Sequence, residues 1–186
     1  MSIRTEYFII AVAIFVLALI AIAVYYHRRS HTSAQKNWER LLKRLTVVDR
    51  SSIAEVALDI IDESGQQRKD EASAVLEPSE IWKLVGGLEG LEILEANCAV
   101  LVDLAFYVQQ WYPEALLVAE QLRLSAREIE WHVERLKSAQ TTGKLESAFS
   151  MYAQPAVAKY YLMTRQVLAL YEEGNLAMLA DLRNAL

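Results

Sequence analysis

An uninterrupted apolar block near the start of the chain constrains the fold more than any other sequence feature. It runs from Tyr7 to Tyr26, 20 residues without a charged residue, glycine or proline. At about 1.5 Å per residue, a helix of this length crosses the roughly 30 Å hydrocarbon core of a bilayer. Aromatic rings are enriched at the headgroup level, and tyrosines stand at both ends of the block. The block therefore predicts one transmembrane helix, residues 7–26, preceded by a short tail, residues 1–6.

The distribution of Lys and Arg predicts the orientation of this helix, because cytoplasmic flanks carry the excess of basic residues. Only Arg4 precedes the block. Six basic residues follow it: Arg28, Arg29, Lys36, Arg40, Lys43 and Arg44. A cleaved signal peptide would instead need a basic stretch before the apolar core and a small-residue cleavage site, and neither is evident. We therefore expect a single-pass protein of the cell membrane, with its N-terminus outside and its C-terminal domain in the cytoplasm.

Net charge changes sign along the remainder of the chain. Residues 27–50 contain seven basic and two acidic residues, a net charge of +5, whereas residues 51–186 contain 11 basic and 21 acidic residues, a net charge of −10. Residues 27–50 are predicted to form a basic juxtamembrane amphipathic helix. Its six basic residues named above are the candidate contacts with lipid headgroups, worth about 1 kcal/mol each near an anionic surface. The acidic charge of residues 51–186 argues against nucleic acid as a partner.

Apolar residues recur at helical spacing throughout the chain after the block, and no run of alternating β-branched residues occurs. The fold class predicted is therefore all-α: one N-terminal transmembrane helix followed by a soluble helical bundle of about five to six helices, the acidic cytoplasmic domain 51–186. The helix over 80–112 carries two apolar stripes and is predicted to be central. Predicted helices cover residues 34–48, 52–64, 80–112, 113–140, 145–173 and 176–185, with an exposed loop at 65–78.

The search for catalytic or ligand-binding motifs finds none that is complete. Gly86 to Gly90 is glycine-rich, but neither a preceding strand nor a following Lys-Ser or Lys-Thr supports a phosphate-binding loop. Glu128 and His132 are spaced i and i+4, without the second histidine that a di-iron bundle needs. The single cysteine, Cys98, excludes a disulfide framework. We therefore predict no catalytic residue, cofactor or metal, and the sequence favours a binding protein over an enzyme.

Asp103 is the least easily explained polar residue, because it lies inside the most apolar helix of the domain. Burial of a carboxylate is costly unless it is paired or hydrogen-bonded. A structural ion pair with Arg123, Arg127 or Arg165 is the preferred interpretation. The alternative is a buried polar site with a ligand-binding or catalytic role.

Aromatic residues provide the other functional signal. Interface centres favour Tyr and Trp, and Trp111, Tyr112 and Trp131 are the candidates for a protein interface. The alternative is that they pack between helices with their polar tips in water. Leu117 and Leu124 form a side row with Trp131 that is expected to widen the apolar face of its helix.

Three functions are compatible with this pattern. The preferred one is a membrane-anchored protein-interaction or scaffold module, whose partners are the lipid bilayer and another protein. The second is a small-ligand-binding or enzymatic domain with a polar site near Asp103. The third is a sensor of anionic lipid that acts through the basic segment. The oligomeric state stays open at this level.

Overall fold

The fold is described from a computed structural model, which describes residues 15–16, 37–62, 64–67 and 76–186. The predicted membrane-spanning helix lies outside the described residues except for Phe15 and Val16, which are helical. Within the described part of the chain, no helix is long and apolar enough to cross a membrane. Residues 41–186 form a compact unit, and the helices defined below belong to it.

The described part of this unit is helical, as predicted, and its only β-structure is an isolated bridge between Ile61 and Gln67. Six helices lie wholly within the described residues, close to the predicted number. They are α1 (Arg50–Ile60), α2 (Pro78–Val85), α3 (Gly87–Val108), α4 (Ala115–Thr141), α5 (Leu145–Glu173) and α6 (Leu179–Ala185).

The predicted helix over 34–48 ends earlier than its apolar spacing suggests. Residues 37–42 are helical, residues 43–44 form a turn, and residues 45–49 are not helical. Asp49 then begins α1 as its N-cap, because its carboxylate accepts a hydrogen bond from the backbone N–H of Ser51 at 3.0 Å. The hydroxyls of Ser51 and Ser52 also donate hydrogen bonds to the Asp49 carboxylate, and these bonds lower its pKa. The predicted cap at Ser52 was therefore wrong: an aspartate three residues earlier satisfies the free N–H groups of the first turn.

The predicted long helix over 80–112 is in fact two helices, α2 and α3, with a sharp corner between them. Gly86 ends α2 in the left-handed conformation at φ 80°, which glycine adopts without steric cost. Gly90 has to be glycine for a different reason, since a Cβ atom there would overlap the carbonyl oxygen of Val85. The glycine-rich segment therefore makes a helix corner, in agreement with the failed phosphate-loop match.

Helix α5 is the centre of the bundle and packs against each of the other five described helices. The prediction that α3 is central was wrong. Both helices are apolar on more than one side, but α5 presents small buried residues, Ala153, Ala156 and Ala158, that allow neighbouring helices to approach. Two tyrosines of α5, Tyr160 and Tyr171, are almost fully buried in the bundle.

Candidate protein-binding surface

Helix α4 carries apolar residues on two opposite faces. The first face packs into the bundle, and its buried members are Ala115, Ala119, Leu122, Ile129, Val133 and Leu136. The second face consists of Leu117, Leu124 and Trp131, seven residues apart. At about 100° per residue, successive members of this row are rotated by only about 20° around the helix axis. The row lies roughly opposite the buried face. We call these three residues the α4 stripe.

The α4 stripe is exposed to solvent. Leu117 is 71% exposed, Leu124 62% and Trp131 49%. The expectation that this row widens the buried face of the helix was wrong, because the residues of α4 that are buried in the bundle lie on the opposite side of the helix. Exposed leucines at regular helical spacing have no role in the core of this unit, and rows of this kind are typical of surfaces that bind a partner.

Trp131 is held in place by neighbouring rings and a cation. Its indole lies edge-on to the Tyr152 ring of α5, with 5.8 Å between ring centroids, and edge-on to the His132 ring at 4.9 Å. The guanidinium of Arg135 lies 5.1 Å from the centre of its ring. A tryptophan restrained in this way loses little conformational entropy on binding, which favours its use as an interface anchor.

Charged and polar residues line both edges of the α4 stripe. From helical geometry, Glu120 and Arg127 lie along one edge, and Gln121 and Glu128 lie along the other. Glu120 pairs with Arg123 at 2.6 Å and Glu128 pairs with Lys159 at 2.9 Å. Arg127 takes part in no ion pair within the described residues. The stripe thus has the apolar centre and charged rim of a protein interface.

The other two predicted interface residues lie in the turn that leads from α3 into α4. Trp111 is exposed and its ring meets Tyr107 edge-on at a centroid distance of 5.1 Å, whereas Tyr112 is half-buried. Trp111 precedes Leu117 by six residues. Trp131 lies about 21 Å from Leu117 along the axis of α4. The sequence pattern singled out Trp111, Tyr112 and Trp131 as interface candidates, whereas the two exposed leucines were expected to widen the buried face. The signal was available: the heptad row points away from the other apolar positions of α4.

Asp103 does not form the buried polar site that the sequence suggested. Its side chain is about half exposed, and its Oδ2 pairs with Nη1 of Arg44 at 2.7 Å. The ion pair was predicted, but with the wrong arginines, since Arg123 pairs with Glu120 and Arg165 lies over the Tyr161 ring. A pair this exposed contributes about 0 to 1 kcal/mol. The sequence separation of 59 residues explains why periodicity alone could not find Arg44.

Asn97 joins the segment before α1 to the helical bundle, a role that no sequence pattern indicated. It is buried on α3, and its side-chain amide forms a reciprocal pair with the backbone of Thr46. Oδ1 accepts from the Thr46 N–H at 2.9 Å, while Nδ2 donates to the Thr46 carbonyl at 2.8 Å. Nδ2 also lies 3.3 Å from the Tyr160 hydroxyl. These bonds replace those that Thr46 would make in a continued helix, which accounts for the early end of the basic helix.

The predicted lipid contacts are only partly described by the structure. Arg28, Arg29 and Lys36 lie outside the described residues. Arg40 and Lys43 are exposed, as a headgroup contact requires. Arg44 is also exposed, but its guanidinium is engaged by Asp103.

A separate groove lies between the first turns of α2 and α5 and has a volume of about 640 Å³. Trp82 and Phe149 form its aromatic wall, with 4.4 Å between ring centroids. Glu77, at its rim, belongs to a reciprocal capping box with Glu80 that begins α2. Glu77 and Glu80 therefore have a structural role at this groove.

The remaining groups relevant to chemistry in the described part of the chain are its potential metal ligands, Cys98 and His132. No cluster of three His, Cys, Asp or Glu side chains there could hold a metal ion. Burial, with a smaller effect of Glu95, raises the pKa of the Cys98 thiol to about 12, so it is not a nucleophile. Burial lowers the pKa of His132, and Glu128 acts in the opposite direction. The Nδ1 atom of His132 is buried without a hydrogen-bond partner.

These observations define the class of protein as an all-α bundle with an exposed apolar helix face. No family model, curated protein or solved structure matches the chain. The exposed α4 stripe is therefore the main indication of function.

Proposed function

We propose that this chain is a single-pass membrane protein whose cytoplasmic helical bundle binds another protein through the α4 stripe. The observation that carries the proposal is the exposure of Leu117 and Leu124 on the side of α4 opposite the core. Complete burial of a fully exposed leucine contributes about 1.5 to 3 kcal/mol, and the exposed parts of Leu117 and Leu124 leave a large share of this unrealised. A partner that covers the stripe recovers this free energy.

The membrane part of the proposal rests on sequence. The apolar block 7–26 supports a spanning helix, and the basic residues after it support a cytoplasmic bundle. Extraction of membranes at alkaline pH tests the anchor, because a spanning protein stays in the pellet. Labelling with a membrane-impermeant maleimide tests the orientation. We expect Ser2→Cys to react in intact cells and Asp181→Cys to react only after the membrane is permeabilised; the reverse pattern would contradict the orientation.

Site-specific photocrosslinking tests the binding surface. A photoreactive amino acid replaces Leu124 in the full-length chain in its native membrane, and a matched variant carries it at Asp181, which is exposed on α6. We expect a protein adduct from position 124 only. Trp131→Ala should reduce this adduct several-fold, because a tryptophan anchor typically contributes about 2 kcal/mol or more to binding.

The same experiment can contradict the proposal. Equal crosslinking from positions 124 and 181 would mean that contact at α4 is nonspecific. A position-124 adduct that is insensitive to Trp131→Ala would mean that the stripe is not the binding surface.

A further inference from the structure

We infer that the partner of the α4 stripe is a second copy of this chain, which packs its own α4 stripe against the first around a two-fold axis close to Leu124. The inference rests on the proposed function, since it names the partner of that surface. The symmetry of the stripe and the charges along its edges support this pairing.

The stripe is symmetric about its middle residue. Leu117 and Trp131 lie on either side of Leu124, each about 10.5 Å away along the helix axis. In a two-fold dimer each residue of the patch meets a residue of the same patch. Leu124 therefore meets its own copy whether the two helices run parallel or antiparallel. In the antiparallel pair Leu117 meets the Trp131 of the second copy. In the parallel pair Leu117 meets Leu117 and Trp131 meets Trp131 of the second copy.

The edges of the stripe are self-complementary in charge. Arg127 lies about 4.5 Å along the axis on one side of Leu124, and Glu120 lies about 6 Å along it on the other. An antiparallel pair therefore places Arg127 beside the Glu120 of the second copy. A parallel pair places Arg127 beside the Glu128 of the second copy, since these two residues flank opposite edges. Arg127, which has no ion pair within the described residues, thus meets an acidic residue in either orientation.

Charge also argues against a lipid surface as the occupant of the stripe. Glutamates line both of its edges, and the whole of residues 51–186 carries a net charge of −10. An anionic leaflet would repel this surface. A second copy instead places Arg127 beside Glu120 in the antiparallel pair, or beside Glu128 in the parallel pair.

A shared membrane would make this modest interface sufficient. One helix stripe on each copy is smaller than the roughly 800 Å² per partner of a standard stable interface, so association in dilute solution is expected to be weak. Copies held in one bilayer by the predicted anchor experience a raised effective concentration. The two-fold axis of the dimer then runs along the membrane normal, so that both anchors cross the bilayer in the same direction.

Cysteine crosslinking in native membranes tests the inference. Leu124→Cys is oxidised in the full-length chain, and Glu130→Cys serves as a control on the same helix, about 120° away from position 124. The native Cys98 is buried, which keeps it out of the reaction. We expect a disulfide dimer of about 42 kDa, twice the 21.1 kDa chain, from position 124 and not from position 130.

A charge variant provides an independent measurement that does not touch the apolar residues. Arg127→Glu replaces two symmetry-related attractions with repulsions and should weaken dimerisation about tenfold. The fraction of dimer is read from energy transfer between labelled full-length chains at fixed density in a bilayer. Arg127 is exposed, so the fold is expected to survive, and circular dichroism checks this.

The outcomes separate this inference from the proposed function. Absence of a dimer at position 124, where the thiol nevertheless reacts with maleimide, would overturn the inference. An unchanged dimer fraction in Arg127→Glu would also overturn it. A position-124 photoadduct whose mass differs from that of a dimer would reject the second copy while retaining protein binding. Absence of any position-124 adduct would reject both.

Discussion

The contact between Asn97 and Thr46 provides a stringent test of how the segment before α1 is attached to the bundle. Truncation in Asn97→Ala removes the two hydrogen bonds to the Thr46 backbone, at 2.9 and 2.8 Å, and the longer contact to Tyr160. Each such bond contributes about 0.5 to 1.5 kcal/mol net. Thr46 is exposed and its backbone can bind water, whereas the Tyr160 hydroxyl stays buried. We therefore expect the free energy of unfolding to fall by about 2 to 3 kcal/mol.

The assay is urea unfolding of the full-length chain in detergent, followed by far-ultraviolet circular dichroism. Asp103→Ala is the matched control, because it breaks the exposed ion pair between the same segment and the same helix and should cost no more than about 1 kcal/mol. Hydrogen exchange gives a local measurement: the Thr46 amide should lose its protection in Asn97→Ala while the amides of α5 keep theirs. A cost below 1 kcal/mol for Asn97→Ala, or an equal cost for both variants, would refute the reasoning.

Three further predictions follow from single contacts. Gly90→Ala should lower the free energy of unfolding by more than about 2 kcal/mol in urea titration, because its Cβ would collide with the Val85 carbonyl and force the helix corner open; a neutral result would contradict that close approach. Burial lowers the pKa of His132 in the folded state, so the unfolded state binds its proton first as the pH falls; stability should be full above pH 6.5 and decline below it, and less steeply in His132→Gln. A maleimide should label Cys98 only once the domain unfolds, since burial raises the pKa of its thiol to about 12; rapid labelling of the folded chain would show that this part of the core opens.

Much of the fold was accessible from the sequence because helix formation is largely local. The bounds of α4 and α5 were predicted to within about two residues, since their apolar spacing is regular and both end at clear stop signals, Thr142-Gly143 and Gly174. The break at Gly86 was missed because glycine in a helical pattern is compatible with either a bend or a continuous helix. Local spacing contains no information on which of these the neighbouring helices allow.

The candidate site was only partly accessible, and for a related reason. Aromatic content correctly drew attention to the exposed Trp111 and Trp131, but Leu117 and Leu124 were expected to be covered. The row of Leu117, Leu124 and Trp131 points away from the other apolar positions of α4, but spacing alone does not show which of the two rows neighbouring helices cover. The choice depends on which side of α4 the neighbouring helices occupy.

The sequence by itself determined the all-helical character of the domain, its segregated charge and the lack of a complete catalytic or metal-binding motif, because these depend on composition and on spacing within one turn or two. The tertiary structure alone decided that Arg44 rather than Arg123 meets Asp103, that Asn97 holds Thr46, and that the α4 stripe is left exposed. Each of these depends on contacts between residues far apart in the chain. Such contacts are set by the packing of whole helices around α5, which no local pattern encodes.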